Sequence, residues 1–176
     1  MAGLNPQVIG ETMTAGFAGS YARQPDMIVN TRPAGGSAAI PFGAPLVYSG
    51  TDVVQMGSGA TAAQFVGVAG REIKSSLTYL EQSPGQYNPG DPVSVFQRGS
   101  INVLCQKGTP KRGGAVYVRI IKNTSLPNGS YETAVVGGFE AEADSSNTVQ
   151  LTNCQWGGPA DANGIAELVI LTRLNA

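Results

Sequence analysis

The fold class of this chain is decided by one stretch, Pro89-Gly90-Asp91-Pro92-Val93-Ser94-Val95-Phe96-Gln97-Arg98-Gly99-Ser100-Ile101-Asn102-Val103. A turn at Asn88-Pro89-Gly90 opens an alternating apolar run, Gly99-Ser100 interrupts it, and a second run extends from Ile101 to Cys105. Proline fixes φ for a turn and glycine supplies positive φ, so this order predicts a turn, a strand, a second turn and a second strand.

The opening of that stretch has two counterparts elsewhere in the chain. Gly43-Ala44-Pro45-Leu46-Val47-Tyr48 and Gly113-Gly114-Ala115-Val116-Tyr117-Val118 share its pattern of glycine, a small residue or proline, and alternating apolar positions. A solenoid needs a fixed repeat period. Because the spacing here is irregular, the pattern indicates one β-rich domain.

Composition supports the same class. A chain of 176 residues is long enough for one domain with a real core, and its 24 glycines and 11 prolines suit short strands joined by turns. Further strands are predicted at 46–48, 53–56, 65–69, 115–121, 149–156 and 166–172. We therefore expect an all-β fold, a short-stranded β-sandwich or barrel with an extended N-terminal arm and little helix. The strand order stays open between a jelly roll, a more open barrel and a tulip-like sheet.

Two parts of the chain differ in their content of large apolar side chains. Residues 1–39 hold few large apolar side chains, which indicates either a mobile terminus or an extended N-terminal arm that orders on a partner, and the scattered apolar residues favour the arm. Residues 40–176 are predicted to form a single β-rich domain, in which 70–88 is a long loop with some extended structure and Gly67 permits a close backbone approach.

Residue types argue against catalysis and cofactors. The chain has no histidine, and its two cysteines, Cys105 and Cys154, lack metal-ligand spacing and are expected to be reduced core thiols. Neither a nucleophile elbow nor a phosphate-binding loop is recognisable. A net charge of −1 gives no reason to expect nucleic acid or a membrane as partner. With no secretory signal and no membrane span in the sequence, we expect a soluble protein made in a cytoplasm.

Charge is distributed in two blocks. Residues 92–131 carry six basic side chains and no acid, whereas residues 132–172 carry six acids and no base. The two blocks can pair within one sheet, or they can meet across subunits in a head-to-tail ring. Within the acidic block, Glu140, Glu142 and Asp144 alternate along one predicted strand, which favours a solvated face and leaves a cation site as the alternative.

Several segments, in this order along the chain, resemble the structural cement (capsid decoration) proteins of tailed bacteriophages. They are Gly16-Phe17-Ala18-Gly19, Ile40-Pro41-Phe42-Gly43, Phe65-Val66-Gly67-Val68-Ala69, Arg71-Glu72-Ile73-Lys74, Tyr87-Asn88-Pro89-Gly90-Asp91-Pro92-Val93, Arg98-Gly99-Ser100-Ile101, Val116-Tyr117-Val118-Arg119, Gly137-Gly138-Phe139-Glu140-Ala141 and Val169-Ile170-Leu171. The resemblance implies a non-enzymatic protein on the exterior of the virion capsid, commonly a homotrimer bound to the major capsid protein.

Residues for such contacts are hypotheses at this stage. The candidates are Phe17, Tyr21, Ile28, Arg98, Lys111, Arg112, Glu140, Glu142 and Asp144. One alternative function is another virion part, such as a head-fibre or tail base. Another is a carbohydrate-binding β-sandwich, which needs exposed aromatic platforms; most of the twelve aromatics (six Tyr, five Phe and Trp156) occupy alternating core positions instead.

Overall fold

The structure is a computed structural model that describes residues 14–72, 85–123 and 134–175. The described strands are β1 (Ile28–Pro33), β2 (Ile40–Pro41), β3 (Pro45–Ser49), β4 (Asp52–Gln55), β5 (Phe65–Ala69), β6 (Gln86–Tyr87), β7 (Pro92–Lys107), β8 (Ala115–Arg119), β9 (Phe139–Glu140), β10 (Thr148–Trp156) and β11 (Ile165–Ile170). Helical structure in these ranges is confined to 3-10 turns at Ala62–Gln64 and Ser145–Asn147. The predicted all-β class is confirmed.

Strand β7 organises the sheet. Its first half pairs antiparallel with β1 and β5, and β5 continues through β3 to β4. Its second half pairs antiparallel with β11 and parallel with β9. Because β11 continues through β10 and β8 back to β9, these strands and β7 close into a barrel, which removes free edges along that circuit.

The predicted interruption of this strand at Gly99-Ser100 is wrong, since β7 runs unbroken through both residues. Gly99 has a φ of +105°, and a Cβ there would overlap the carbonyl oxygen of Asp26. The pairing partner of β7 changes at this residue. Up to Arg98 the strand pairs with β1, and from Gly99 onward it pairs with β11. The glycine interpreted as a strand break therefore lies inside one strand, at the point where that strand changes its pairing partner.

Side chains of β7 enter two separate cores. Phe96, Ile101 and Val103 join the larger cluster around Trp156 inside the barrel. Other apolar side chains of the same strand, Val93 and Val95, join a second cluster with β3, β4 and β5. The expected close approach at Gly67 is confirmed, because a Cβ there would lie 3.0 Å from the Phe96 carbonyl carbon.

The described part of the predicted arm, residues 14–39, lies against the sheet. Strand β1 pairs with β7 from Ile28 opposite Arg98 to Pro33 opposite Pro92. The Gly19 amide donates to the Asn102 carbonyl at 2.7 Å. The division of the chain at residue 39 stays a prediction. Of the loop expected at 70–88, residues 73–84 lie outside the described residues.

Candidate functional site

The three predicted carboxylates do not form an exposed face. Strand β9 is enclosed between β7 and β8, and the side chains of Glu140 and Arg119 are both 0% exposed. The Arg119 guanidinium donates from Nε to Glu140 Oε1 and from Nη2 to Oε2, the latter at 2.9 Å. The solvated-face interpretation is wrong for Glu140, because a basic side chain of the neighbouring strand binds it in a bidentate ion pair.

Asp144 completes this buried ion cluster, which we define as Arg119, Glu140 and Asp144. Its Oδ2 lies 2.9 Å from Arg119 Nη1, and the Asn123 amide donates to both of its carboxylate oxygens at 3.0 Å. Hydrogen bonds from Asn123, and then from Arg119, hold the pKa of Asp144 below its ordinary value. The cluster is therefore an internal element of the fold.

Glu142 pairs more loosely, with its carboxylate 3.2 Å from Lys107 Nζ and a side chain 51% exposed. With Arg119 engaged as well, members of the basic and acidic blocks pair within one chain, as the first interpretation of the two blocks expected. A lysine substituted for Glu140 would place a second cation beside buried Arg119. That substitution would therefore disturb the fold before it tested any contact between subunits.

An apolar groove of about 250 Å³ opens between the strand ends, and its lining includes Ala18, Phe42, Ala44, Leu104, Val135 and Phe139. Leu104 and Val135 are 43% and 58% exposed. Phe17, the neighbour of Ala18, is 64% exposed, and the Arg71 guanidinium lies 4.5 Å from its ring centroid. The groove and Phe17 form the exposed apolar surface that a protein partner could bury.

Two further clefts share Arg23. The first, about 370 Å³, lies between Arg23, Asp26 and Arg98, with Val169, Ile170 and Leu171 along its apolar side. The second, about 460 Å³, is lined by Arg23, Arg112, Glu167, Asn102 and Pro159 among others. Together we call them the arginine clefts.

Arg23 stands at the junction of the arginine clefts in an ion pair with Glu167. Its Nε lies 2.6 Å from Glu167 Oε1, and its Nη2 donates to Oε2 at 3.0 Å. The hydrogen bonds from Arg23 lower the pKa of Glu167. The Arg23 side chain nevertheless stays 67% exposed, so it remains accessible to a partner.

The structure separates the remaining predicted contact residues. Arg98 and Arg112 border the arginine clefts, and Lys111 is exposed beside Arg112. Tyr21 packs instead on Phe96, with ring centroids 5.3 Å apart, and Ile28 is a partly buried residue of β1. Leu104, Val135, Arg23 and Glu167 were missed. The Arg23–Glu167 pair joins residues 144 positions apart, for which a single sequence carries no signal.

The two cysteines are partly or fully buried. Cys105 and Cys154 are free, as expected of reduced thiols, and burial raises the pKa of both. Across residues 14–72, 85–123 and 134–175, no three His, Cys, Asp or Glu side chains cluster in a way that could hold a metal ion. The same ranges contain no helix with the length and apolarity to cross a bilayer.

The chain is similar to known proteins both in fold and in sequence family. A chain of the solved structure "The capsid of Myoviridae Phage XM1" matches with a TM-score of 0.67 and 15% identity, covering 99% of this chain and 100% of that one, so the two share a fold. No curated protein sequence matches. The family described as "Structural cement protein (E217 gp24/Pam3 gp6)" matches residues 5–171, nearly the whole chain. This chain therefore belongs to the phage structural cement protein family, a family of capsid-associated structural proteins of the virion and not of enzymes.

Proposed function

We propose that this protein binds the outer surface of the bacteriophage head as a homotrimer and stabilises contacts between major capsid proteins. The observation that carries the proposal is the cement-family match over residues 5–171. The fold agrees with such a role, since strands paired in a closed circuit around a buried ion cluster can hold surface side chains in a defined arrangement.

A cement protein acts by mass action. It binds the assembled shell and not the separated subunits, so it stabilises the shell by RT ln(1 + [L]/Kd). Contacts to two or three neighbouring subunits raise the effective concentration at the later contacts, so that each contact can be weak. A chain that works in this way needs exposed surface of the right shape and chemistry and no reactive group.

The exposed apolar surface supports a contact with protein. Phe17, Leu104 and Val135 come from three separate chain segments and are each more than 40% exposed. Isolated surface apolar residues are normal, but a groove flanked by several of them is typical of a protein interface. Burial in the trimer or against the shell would remove this apolar area from water.

The N-terminal segment is part of the proposal. We expect the arm assigned to residues 1–39 to contact the shell. Because its part from residue 14 onward lies against the sheet, deletion of the whole range would also remove β1. Deletion of residues 1–13 leaves every described contact in place and is the sharper variant. If the deletion variant folds but does not bind heads, the N-terminal segment contributes to binding. If the variant still binds heads, the segment is not part of the mechanism.

The test of the proposal uses heads produced without this chain. We expect them to release their DNA at a lower temperature than complete heads, and purified protein added back should restore the difference. An unrelated β-protein of similar mass is the control. Equal release temperatures with and without the chain would refute stabilisation. A solution mass other than about three times the 18.1 kDa of the chain would refute the trimer.

A further inference from the structure

The arginine clefts bring three guanidinium groups together on one side of the protein. Arg23, Arg98 and Arg112 border them, against the carboxylates Asp26 and Glu167, and Lys111 is the neighbour of Arg112. The whole chain has a net charge of −1. Three arginines against two carboxylates leave the clefts with a small excess of positive charge on a slightly acidic protein.

The ion pairs within the clefts leave their arginines able to bind a further anion. Arg98 Nε lies 3.3 Å from Asp26, whose side chain is 73% exposed, and exposed pairs of this kind contribute little to stability. In the described residues Arg112 makes one hydrogen bond, from Nε to the Gly157 carbonyl at 3.3 Å. Its Nη groups can still bind a carboxylate in the bidentate geometry that guanidinium groups favour.

The chain's own acidic block does not provide the complement to this surface. Glu140 and Asp144 are held by buried Arg119, Glu142 lies beside Lys107, and Glu167 already binds Arg23. The Asp161 carboxylate accepts hydrogen bonds from backbone amides of its own chain, and Glu132 lies outside the described residues. A second copy of this protein would therefore present few carboxylates from the described part of that block to the clefts. We therefore take a different protein as the source of negative charge, and the solution mass of the variants tests a second copy of this chain.

The clefts also have an apolar side, which distinguishes a polypeptide from nucleic acid as the occupant. Val169, Ile170 and the 46% exposed Leu171 line the first cleft, and Pro159 lines the second. A polyanionic nucleic acid would favour a continuous basic stripe on a positively charged domain. We propose that the arginine clefts bind an acidic segment of a partner protein in which aliphatic residues flank the carboxylates. This inference rests on the proposed function, because the partner is then a subunit of the phage head.

The experiment measures binding of the purified full-length protein to heads that lack it, by co-sedimentation at low and at high salt. The double variant Arg98→Glu/Arg112→Glu reverses two exposed charges and leaves the Arg23–Glu167 pair intact. We expect its affinity to fall on the order of a hundredfold at low salt, because like charges would then face each other across the interface. Wild-type affinity should fall as salt rises.

The matched control is Arg32→Glu, an exposed arginine of β1 outside both clefts, for which we expect a change within about twofold. The milder Arg98→Gln/Arg112→Gln variant removes the charges without reversing them, and we expect a loss on the order of tenfold. If the charge-reversal variant does not fold, the glutamine variant tests the contact instead. Unfolding midpoints of all variants are measured in parallel.

Three results would overturn the assignment. If the cleft variants bind heads as well as wild type does, the clefts are not the contact with the shell. The proposed function would still stand in that case, because the wild-type protein binds. A variant that changes solution mass but not head binding would assign the clefts to self-association. Binding of a labelled DNA duplex that the variants lose would assign them to nucleic acid. Failure of wild-type protein to bind heads would instead overturn the proposed function itself.

Discussion

Substitution of Glu140 by glutamine probes the buried ion cluster with little change of shape. Both Glu140 and Arg119 have side chains that are 0% exposed, so water cannot solvate the guanidinium when its partner loses charge. The new amide group would also direct a donor toward Arg119, which has only donors. Asp144, 2.9 Å from Nη1, would remain as the compensating carboxylate.

The expected cost follows from that geometry. Removal of one partner from a buried ion pair destabilises a protein by about 3–5 kcal/mol. Because Asp144 stays in place, we expect the lower end, about 3 kcal/mol. For a chain of this size that corresponds to a fall in the unfolding midpoint of roughly 6–12 °C.

The assay is urea unfolding at pH 7, followed by tryptophan fluorescence, since Trp156 lies in the barrel core. Glu142→Gln is the matched control: its partner Lys107 is 3.2 Å away and the side chain is 51% exposed, so we expect a change of about 0–1 kcal/mol. Equal effects of Glu140→Gln and Glu142→Gln would refute the reasoning. They would show that the Arg119–Glu140 pair is not buried in solution.

Three further outcomes are expected. The pKa of Asp144 is lower in the folded protein than its ordinary value of 3.8, so the stability it contributes is present above that value and is lost as pH falls through the folded pKa. The Asp144→Asn variant should therefore lose less unfolding free energy than wild type between pH 5 and pH 2. An unchanged pH profile would contradict this. Gly67→Ala should lower the unfolding free energy by about 1–3 kcal/mol, because the added methyl group would overlap the Phe96 carbonyl. The control Gly158→Ala, with open space around it, should change the urea midpoint little. Similar midpoints for the two variants would count against the close packing of β5 on β7. Iodoacetamide should label Cys154 only after denaturation, since burial raises the pKa of that thiol, and mass spectrometry showing native labelling would disprove its burial.

The class and most strand positions could be predicted because they depend on local patterns. Alternating apolar residues between glycine and proline turns marked β3, β5 and β10 within a residue or two of their ends. The closure of the barrel was not predictable in the same way. It depends on β11 pairing with β7, strands far apart in the chain, for which local alternation gives no register.

Charged positions show the limit most clearly. Alternation with Phe139 placed Glu140 on the outer face, where a carboxylate would normally be solvated. The structure covers that face as well, and Arg119, 21 residues earlier, makes burial tolerable. Gly99 shows the same limit for the backbone, because a glycine can end a strand or lie within it at a positive φ, and the sequence does not distinguish the two.

The most direct test of the central claim is an electron cryo-microscopy map of heads that lack this chain, before and after purified protein is added back. The account predicts new density on the outer surface, at threefold positions between major capsid proteins, into which the barrel fits as a trimer. Added protein that leaves the shell bare, or density found only at a vertex or on the tail, would contradict it.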